Sequence, residues 1–253
     1  HVENDIDPIR DIEIINVELM LSDLEIVDAR IGRIEKKATQ TKDKDLLKEL
    51  DILKRIKNGL EENIPVRRLD ISEDDMKIIN SFRLITAKPI IYMANISEED
   101  LVNDGNIYVD KIREYAKAEN AKVITVSAKI EEELSELDDE ERDMFLSDLG
   151  VSSGGLDKLI QATYSLLGLA TYFTAGKDEV RAWTFKKGMK APECAGIIHT
   201  DFEKGFIRAE VMSYDDLEKY GEEKKVREAG RVRLEGKEYL MQDGDICYFR
   251  FNV

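Results

Sequence analysis

Only two cysteines, Cys194 and Cys247, occur in the 253 residues; they stand far apart and match no metal-ligand spacing. A disulfide framework and a thiolate metal site are set aside, and two buried thiols in a reducing cytosol are expected. No apolar run approaches the ~20 residues that a membrane helix needs, and no secretory signal opens the chain. A cytoplasmic protein without membrane contact is the expectation. No Gly-x-x-x-x-Gly-Lys-Ser/Thr loop is found, so nothing supplies the backbone nest, lysine and Mg²⁺-binding hydroxyl that cradle phosphates. The glycine-rich "SSGG" (152–155) has no lysine at the right place after it. His199 has no Ser, Cys or paired carboxylate beside it and is expected to be structural; no catalytic triad or metal cluster is evident. An excess of Lys and Arg is lacking too. The net charge of −16 opposes general binding to nucleic acid. His1 stands where a reading frame places Met, which raises the expectation of a processed chain, a trimmed one or a fragment.

The composition, 42% hydrophobic and 36% charged, describes a soluble globular protein with much exposed helical surface. Its charge is unevenly spread. Residues 171–253 hold 15 Lys and Arg against 16 Asp and Glu, whereas the other 170 residues hold 23 against 38. The last third is near neutral and able to meet an RNA surface. It also carries a basic run, Lys224, Lys225, Arg227, Arg231 and Arg233, which is either solvated surface or a phosphate contact.

Asp11 is placed to cap a helix entering at Ile12. Ile14, Val17, Leu21, Leu24 and Ile31 then recur at helical steps to about Ala38, where the polar run 36–45 breaks the pattern. Leu47, Leu50, Leu53, Ile56, Leu60 and Ile64 form a second stripe ending before Pro65. Together they predict an antiparallel helical hairpin, with nothing catalytic in it. Beyond residue 81 the grammar changes. A buried strand before Asn95, a helix over 109–120, a second buried strand over 121–129, an acidic helical stretch over 131–150 closed by Gly150, and a helix over 154–169 predict parallel strands with crossover helices. After Tyr172, strands over 180–188 and 206–214, a helical piece over 214–220 and an Asp243-Gly244 turn between two short strands predict a small α+β module.

"YMANISEED" (92–100) is the stretch with chemistry in it. Asn95-Ile96-Ser97-Glu98 has the outline of the N-K-x-D loop that reads guanine, with isoleucine for lysine and glutamate for aspartate. Ligands of open parallel sheets bind at the carboxyl ends of the strands, where Asn95 and Ser127 both fall. An Asn there can donate from its amide to a purine N7 and accept from an exocyclic amine. A displaced, longer Glu98 would lose the N1–H and 2-amino donors that only guanine offers. "VSAK" (126–129) sits where such proteins place a second base-contacting loop. The plainer alternative is a strand end at Asn95 followed by a helix capped by Ser97.

Several long segments resemble one family. "DIEIINVELMLSDLEIVDARIGRIEKKA" (11–38), "ELDDEERDMFLSDLG" (136–150), "TYFTAGKDEVRAWTFKKG" (171–188), "AGIIHTDFEKGFIRAE" (195–210) and the ending "DGDICYFRFNV" are similar to the YchF subfamily of Obg-related P-loop NTPases, the Obg-like ATPases. The resemblance runs nearly end to end. It implies an α/β fold: the C-terminal part of a P-loop nucleotide-binding domain (1–10 and 81–170), an inserted helical hairpin (11–80) and a C-terminal α+β TGS module of β-grasp fold (171–253). It further implies ATP preferred over GTP, Mg²⁺, and association with ribosomes or ribosomal RNA. On this resemblance Asn95, Ile96 and Glu98 fall on the base-specificity motif, Ile96 acting through its backbone, and Ser127 and Ala128 on the second base loop.

The family's P-loop, switch regions and Mg²⁺ ligands lie upstream of the hairpin, so no catalytic residue is assigned to this chain. One expectation is therefore adenine recognition on behalf of a larger ATP hydrolase. The other is a non-catalytic module that docks on the ribosome or RNA, with nucleotide only as a switch.

Overall fold

Asp7 and Pro8, one turn ahead of Asp11, begin the first helix. The Asp7 carboxylate accepts from the amides of Ile9 and Arg10, and Pro8 takes the first helical turn, where its missing N–H costs nothing. Helix α1 spans Pro8–Thr41. It extends into the polar run 36–45, because Lys, Ala and Gln are good helix formers, and breaks within that run as expected. The reversal comes at Lys42, whose φ is 53°, and Asp43, which caps α2 (Lys44–Glu61). Lys57–Asp28 and Lys54–Glu35 (both 2.7 Å) and Arg30–Glu49 (2.5 Å) show the antiparallel register. The two lysine pairs are exposed and contribute at most about 1 kcal/mol each, while Arg30–Glu49 is part-buried. Burying Val27, Ile34, Leu53, Ile56 and Leu60 between the helices contributes about 1.5–3 kcal/mol per side chain. The apolar seam, not the charges, holds the hairpin.

The structure is a computed structural model that describes residues 6–176 and 179–252. It divides into two units, His1–Leu159 and Ile160–Val253. In the first, two polar residues interrupt the core face of α1. Asp23 is fully buried and accepts at 2.7 Å from the amides of Ile85 and Thr86 and from the Thr86 hydroxyl. This pins α1 to the segment that follows α3 (Glu73–Ile79) and leads into the sheet. Strand β1 (Ile91–Asn95), helices α4 (Glu98–Val102) and α5 (Ile107–Lys117), and strand β2 (Lys122–Val126) follow. The strands are parallel, in register from Ile91↔Lys122 to Asn95↔Val126. Strand β1 is less buried than its composition predicts: Met93 is 56% exposed. Among the described residues β1 and β2 pair only with each other, so each keeps a free edge.

The acidic stretch 131–150 is two helices, α6 (Ala128–Ser135) and α7 (Asp139–Asp148). Asp138 and Glu141 form a reciprocal capping box that starts the second. Gly150, at φ 71°, follows its end. The chain passes from one unit to the other within α8 (Gly155–Leu167).

The second unit contains β3 (Leu169–Ala175), β4 (Val180–Lys186), α9 (Ala191–Ile198), α10 (Thr200–Lys204), β5 (Phe206–Ser213), α11 (Tyr214–Tyr220), α12 (Glu223–Glu228), β6 (Arg233–Glu235) and β7 (Asp245–Phe251). Its sheet has the order β4-β3-β7-β5-β6, with β3 and β7 parallel at the centre and the other neighbours antiparallel. Tyr172, Phe206, Val211 and Phe249 pack against Ala191, Cys194 and Ala195 of α9. Cys194 and Cys247 are buried and free. Burial pushes the Cys194 thiol up to about 12, which keeps it protonated and unreactive. The Asp243-Gly244 turn exists, with Gly244 at φ 79°, but it joins no hairpin. The residues before it contribute a single bridge, Leu240 to Lys190, while β7 pairs with β5 and β3.

Candidate nucleotide-base site

Parallel register places the ends of β1 and β2 side by side, and two hydrogen bonds join the loops that follow them. The Ile96 amide donates to the Val126 carbonyl at 2.8 Å, and the Ala128 amide donates to Asn95 Oδ1 at 3.0 Å. These bonds use the acceptor of the Asn95 side chain and the donor of the Ile96 backbone. Among the described residues, Asn95 Nδ2 and the Ile96 carbonyl have no partner and are left as one donor and one acceptor. Ser127 is buried at the end of β2 and Ala128 is exposed as the first residue of α6.

Ser97 does cap α4. Its Oγ accepts from the Asp100 amide (3.1 Å) and donates to Asp100 Oδ2 (2.9 Å), which also accepts from Asn106 Nδ2 (2.8 Å). The cap and the loop pairing therefore coexist, the first fixing the chain just after the second. Glu98 opens α4 half-exposed, its Oε2 3.7 Å from Lys129 Nζ. A cleft of about 540 Å³, lined by Ile12, Ala94, Asn95, Ile96, Asn106 and Val109 among others, runs beside β1.

A buried polar group underlies β1. Tyr92, three residues before Asn95, donates to Glu119 Oε2 at 2.8 Å. The Glu119 side chain is fully buried and makes a two-pronged pair with Arg67, Nε–Oε2 and Nη2–Oε1 both at 3.1 Å. Arg67 Nη2 also donates to Asn16 Oδ1 at 2.9 Å, and Asn16 Nδ2 to the Tyr115 hydroxyl at 3.3 Å. Burial, then the Glu119 carboxylate, pushes the Tyr92 phenol above its ordinary range, so it stays a donor. Sequence reasoning missed this group, because Asn16, Arg67 and Glu119 each read as a surface residue.

In the second unit the basic run splits in two. Arg227 is bonded to Glu210 (3.2 Å) and Glu223 (3.0 Å), and Arg233 lies 3.3 Å from the buried Asp245. Lys224 and Lys225 make only looser, exposed pairs with Glu228 (4.0 Å) and Glu222 (3.4 Å). Among the described residues Arg231 has no carboxylate within ion-pair distance. His199 caps α10, its Nδ1 accepting from the Asp201 amide at 3.2 Å. No cluster of three His, Cys, Asp or Glu able to hold a metal occurs among the described residues.

Parallel strands with crossover helices in one unit and a mixed sheet in the other define a protein of mixed α/β class, and comparison with known proteins is specific about which. The family description "YchF-GTPase_C: Protein of unknown function (DUF933)" matches residues 169–252. Over 254 residues the chain is 58% identical to "Ribosome-binding ATPase YchF" of Bacillus subtilis (strain 168), covering all of this chain and 69% of that protein. It is 42% identical over 255 residues to "Obg-like ATPase 1" of Caenorhabditis elegans, covering 64% of it. The solved "Structure of the Schizosaccharomyces pombe YchF GTPase" superposes with a TM-score of 0.83 at 39% identity, over 99% of this chain and 68% of that one. The chain belongs to the YchF family.

Proposed function

We propose that this chain supplies adenine recognition to a P-loop ATP hydrolase that associates with the ribosome. The relatives' names divide between ATPase and GTPase, so the base loops have to decide. The observation that carries the choice is the Ile96 carbonyl, left free because the groups that join the loops are the Ile96 amide and the side-chain acceptor Asn95 Oδ1. With that acceptor used, Asn95 Nδ2 is left to donate to a purine N7, and the free Ile96 carbonyl suits the 6-amino group of adenine, a donor where guanine has an acceptor. Ser127 and Ala128 border the base from the second loop. These residues fit the base of ATP. The phosphate and Mg²⁺ ligands, and with them the hydrolytic step, are assigned to sequence upstream, and no residue of this chain is given a part in bond cleavage.

In the same reading residues 11–80, which hold all of α2 and all but the first turn of α1, are an insertion between residues 1–10 and 81–170 of the nucleotide domain. Residues 171–253 are a TGS module, and the strand order there, with a central parallel pair, supports a β-grasp fold. Ribosome association is inferred from the relatives' names. Lys224, Lys225 and Arg231 are its best-placed phosphate contacts, since Arg227 and Arg233 are committed to internal carboxylates.

Asn95→Ala in the full-length protein tests the site. Loss of the loop-closing bond and of the N7 donor should weaken ATP binding about tenfold, measured by calorimetry. Co-sedimentation with ribosomes in the absence of nucleotide should persist. Unchanged ATP affinity would remove the base site and favour a docking module without catalytic purpose.

A further inference from the structure

Resting on the base site proposed above, we infer that Lys129 is a specificity-determining residue, which favours adenine over guanine by holding Glu98 away from the base. Glu98 is the first residue of α4 and Lys129 the second of α6, so the helices that begin after the two base loops each place a charge at the mouth between them. Glu98 Oε2 lies 3.7 Å from Lys129 Nζ, and Glu133 Oε1, one helical turn on, lies at the same distance. Both partners are substantially exposed, Lys129 at 72% and Glu98 at 48%. Packing does not force them together. They meet because the Asn95–Ala128 and Ile96–Val126 bonds fix the separation of the loops.

A carboxylate three residues after the base-contacting Asn is placed to accept from donors on the purine edge. Guanine offers N1–H and the 2-amino group. Adenine offers a lone pair at N1 and nothing at C2, so a free carboxylate there would face another acceptor. Lys129 gives Glu98 a different partner, within reach because glutamate is one methylene longer than aspartate. Guanine must break the Glu98–Lys129 pair to gain its two bonds, whereas adenine breaks nothing. The preference thus has an attractive part in the Ile96 carbonyl and a withheld part in Glu98.

The test is the ratio of GTP to ATP dissociation constants in the full-length protein, by calorimetry with each nucleotide. Lys129→Met keeps the aliphatic stem and removes the charge. General attraction of the lysine for triphosphate affects both nucleotides alike and cancels in the ratio. An exposed pair of this kind corresponds to about a two- to fivefold fall in that ratio, and Lys129→Arg should keep the parent value. An unchanged ratio in Lys129→Met, or equal weakening of ATP and GTP, overturns the role of Lys129. Asn95→Ala measured alongside separates the two failures. If it weakens ATP binding while Lys129→Met leaves the ratio alone, only the inference about Lys129 falls; if it leaves ATP binding intact, the base site falls with it.

Discussion

Glu119→Gln removes one charge from a pair that water barely reaches: the Arg67 side chain is 6% exposed and that of Glu119 is 0%. Were the pair at the surface, its loss would cost at most about 1 kcal/mol. Removing one partner of a buried pair costs about 3–5 kcal/mol, because the remaining charge is stranded in a poorly solvated site. Glutamine keeps one acceptor oxygen for Arg67 or Tyr92, and Asn16 Oδ1 still accepts from Arg67. The lower end, about 3 kcal/mol, is therefore expected. For a chain of this size that corresponds to about 6–12 °C in the melting transition of the unit that carries it, read by calorimetry. A shift below about 2 °C would show that the pair is solvated and that the polar group under β1 is incidental. The double substitution Arg67→Met with Glu119→Leu sharpens the test. Two apolar side chains strand no charge, so the double variant should be more stable than Glu119→Gln alone. The sum of the single effects should exceed the effect of the pair.

Two further outcomes follow in the second unit. Gly205 has an ordinary φ of −87°, but a Cβ there would lie 2.1 Å from the Asn252 carbonyl oxygen, whose own amide donates to the Gly205 carbonyl. Gly205→Ala should therefore cost about 1–3 kcal/mol through displacement of the β5–β7 ends, and an unmoved urea midpoint would refute that close approach. Hydrogen bonds from Arg250 and then Arg227, against the opposing effect of burial, hold the Glu210 carboxyl below its ordinary 4.5. The unfolded chain takes up this proton first. The stabilisation is complete above pH 4.5 and is lost as pH falls through the lower folded value. Glu210→Gln should flatten that part of the stability–pH curve, and an identical acid limb in the variant would show that Glu210 is not what titrates.

The parts of the fold legible in the sequence are those with a local cause. Strand β2 announces itself by β-branched residues and α5 by its apolar spacing, and a helix between two buried strands makes the connection a parallel crossover. Gly150 ends its helix for a reason visible without tertiary structure. The start of α1 is a competition between two aspartates, and Pro8 settles it in favour of Asp7 by fitting the first turn. Strand β6 is three residues long and exists only because β5 offers it an edge. Asp243-Gly244 specifies a turn but not which strands the turn serves, so β7 found partners far away in the chain.

Charge is harder to read from sequence than hydrophobicity, because a charge says nothing of what it faces. Asn16, Asp23, Arg67 and Glu119 look like solvent-facing residues until partners from 51 to 63 positions away close over them. The run from Lys224 to Arg233 errs in the opposite direction: five cations look like one patch, yet Arg227 and Arg233 are drawn onto Glu210 and Asp245. The pairing of the two loops was legible for the converse reason. Asn95 and Ser127 stand at strand ends, and parallel pairing brings those ends together as soon as the strands are recognised. Lys129 is the exception there. Its place depends on Glu98, 31 residues earlier, and neither charge indicates alone that the other stands 3.7 Å away.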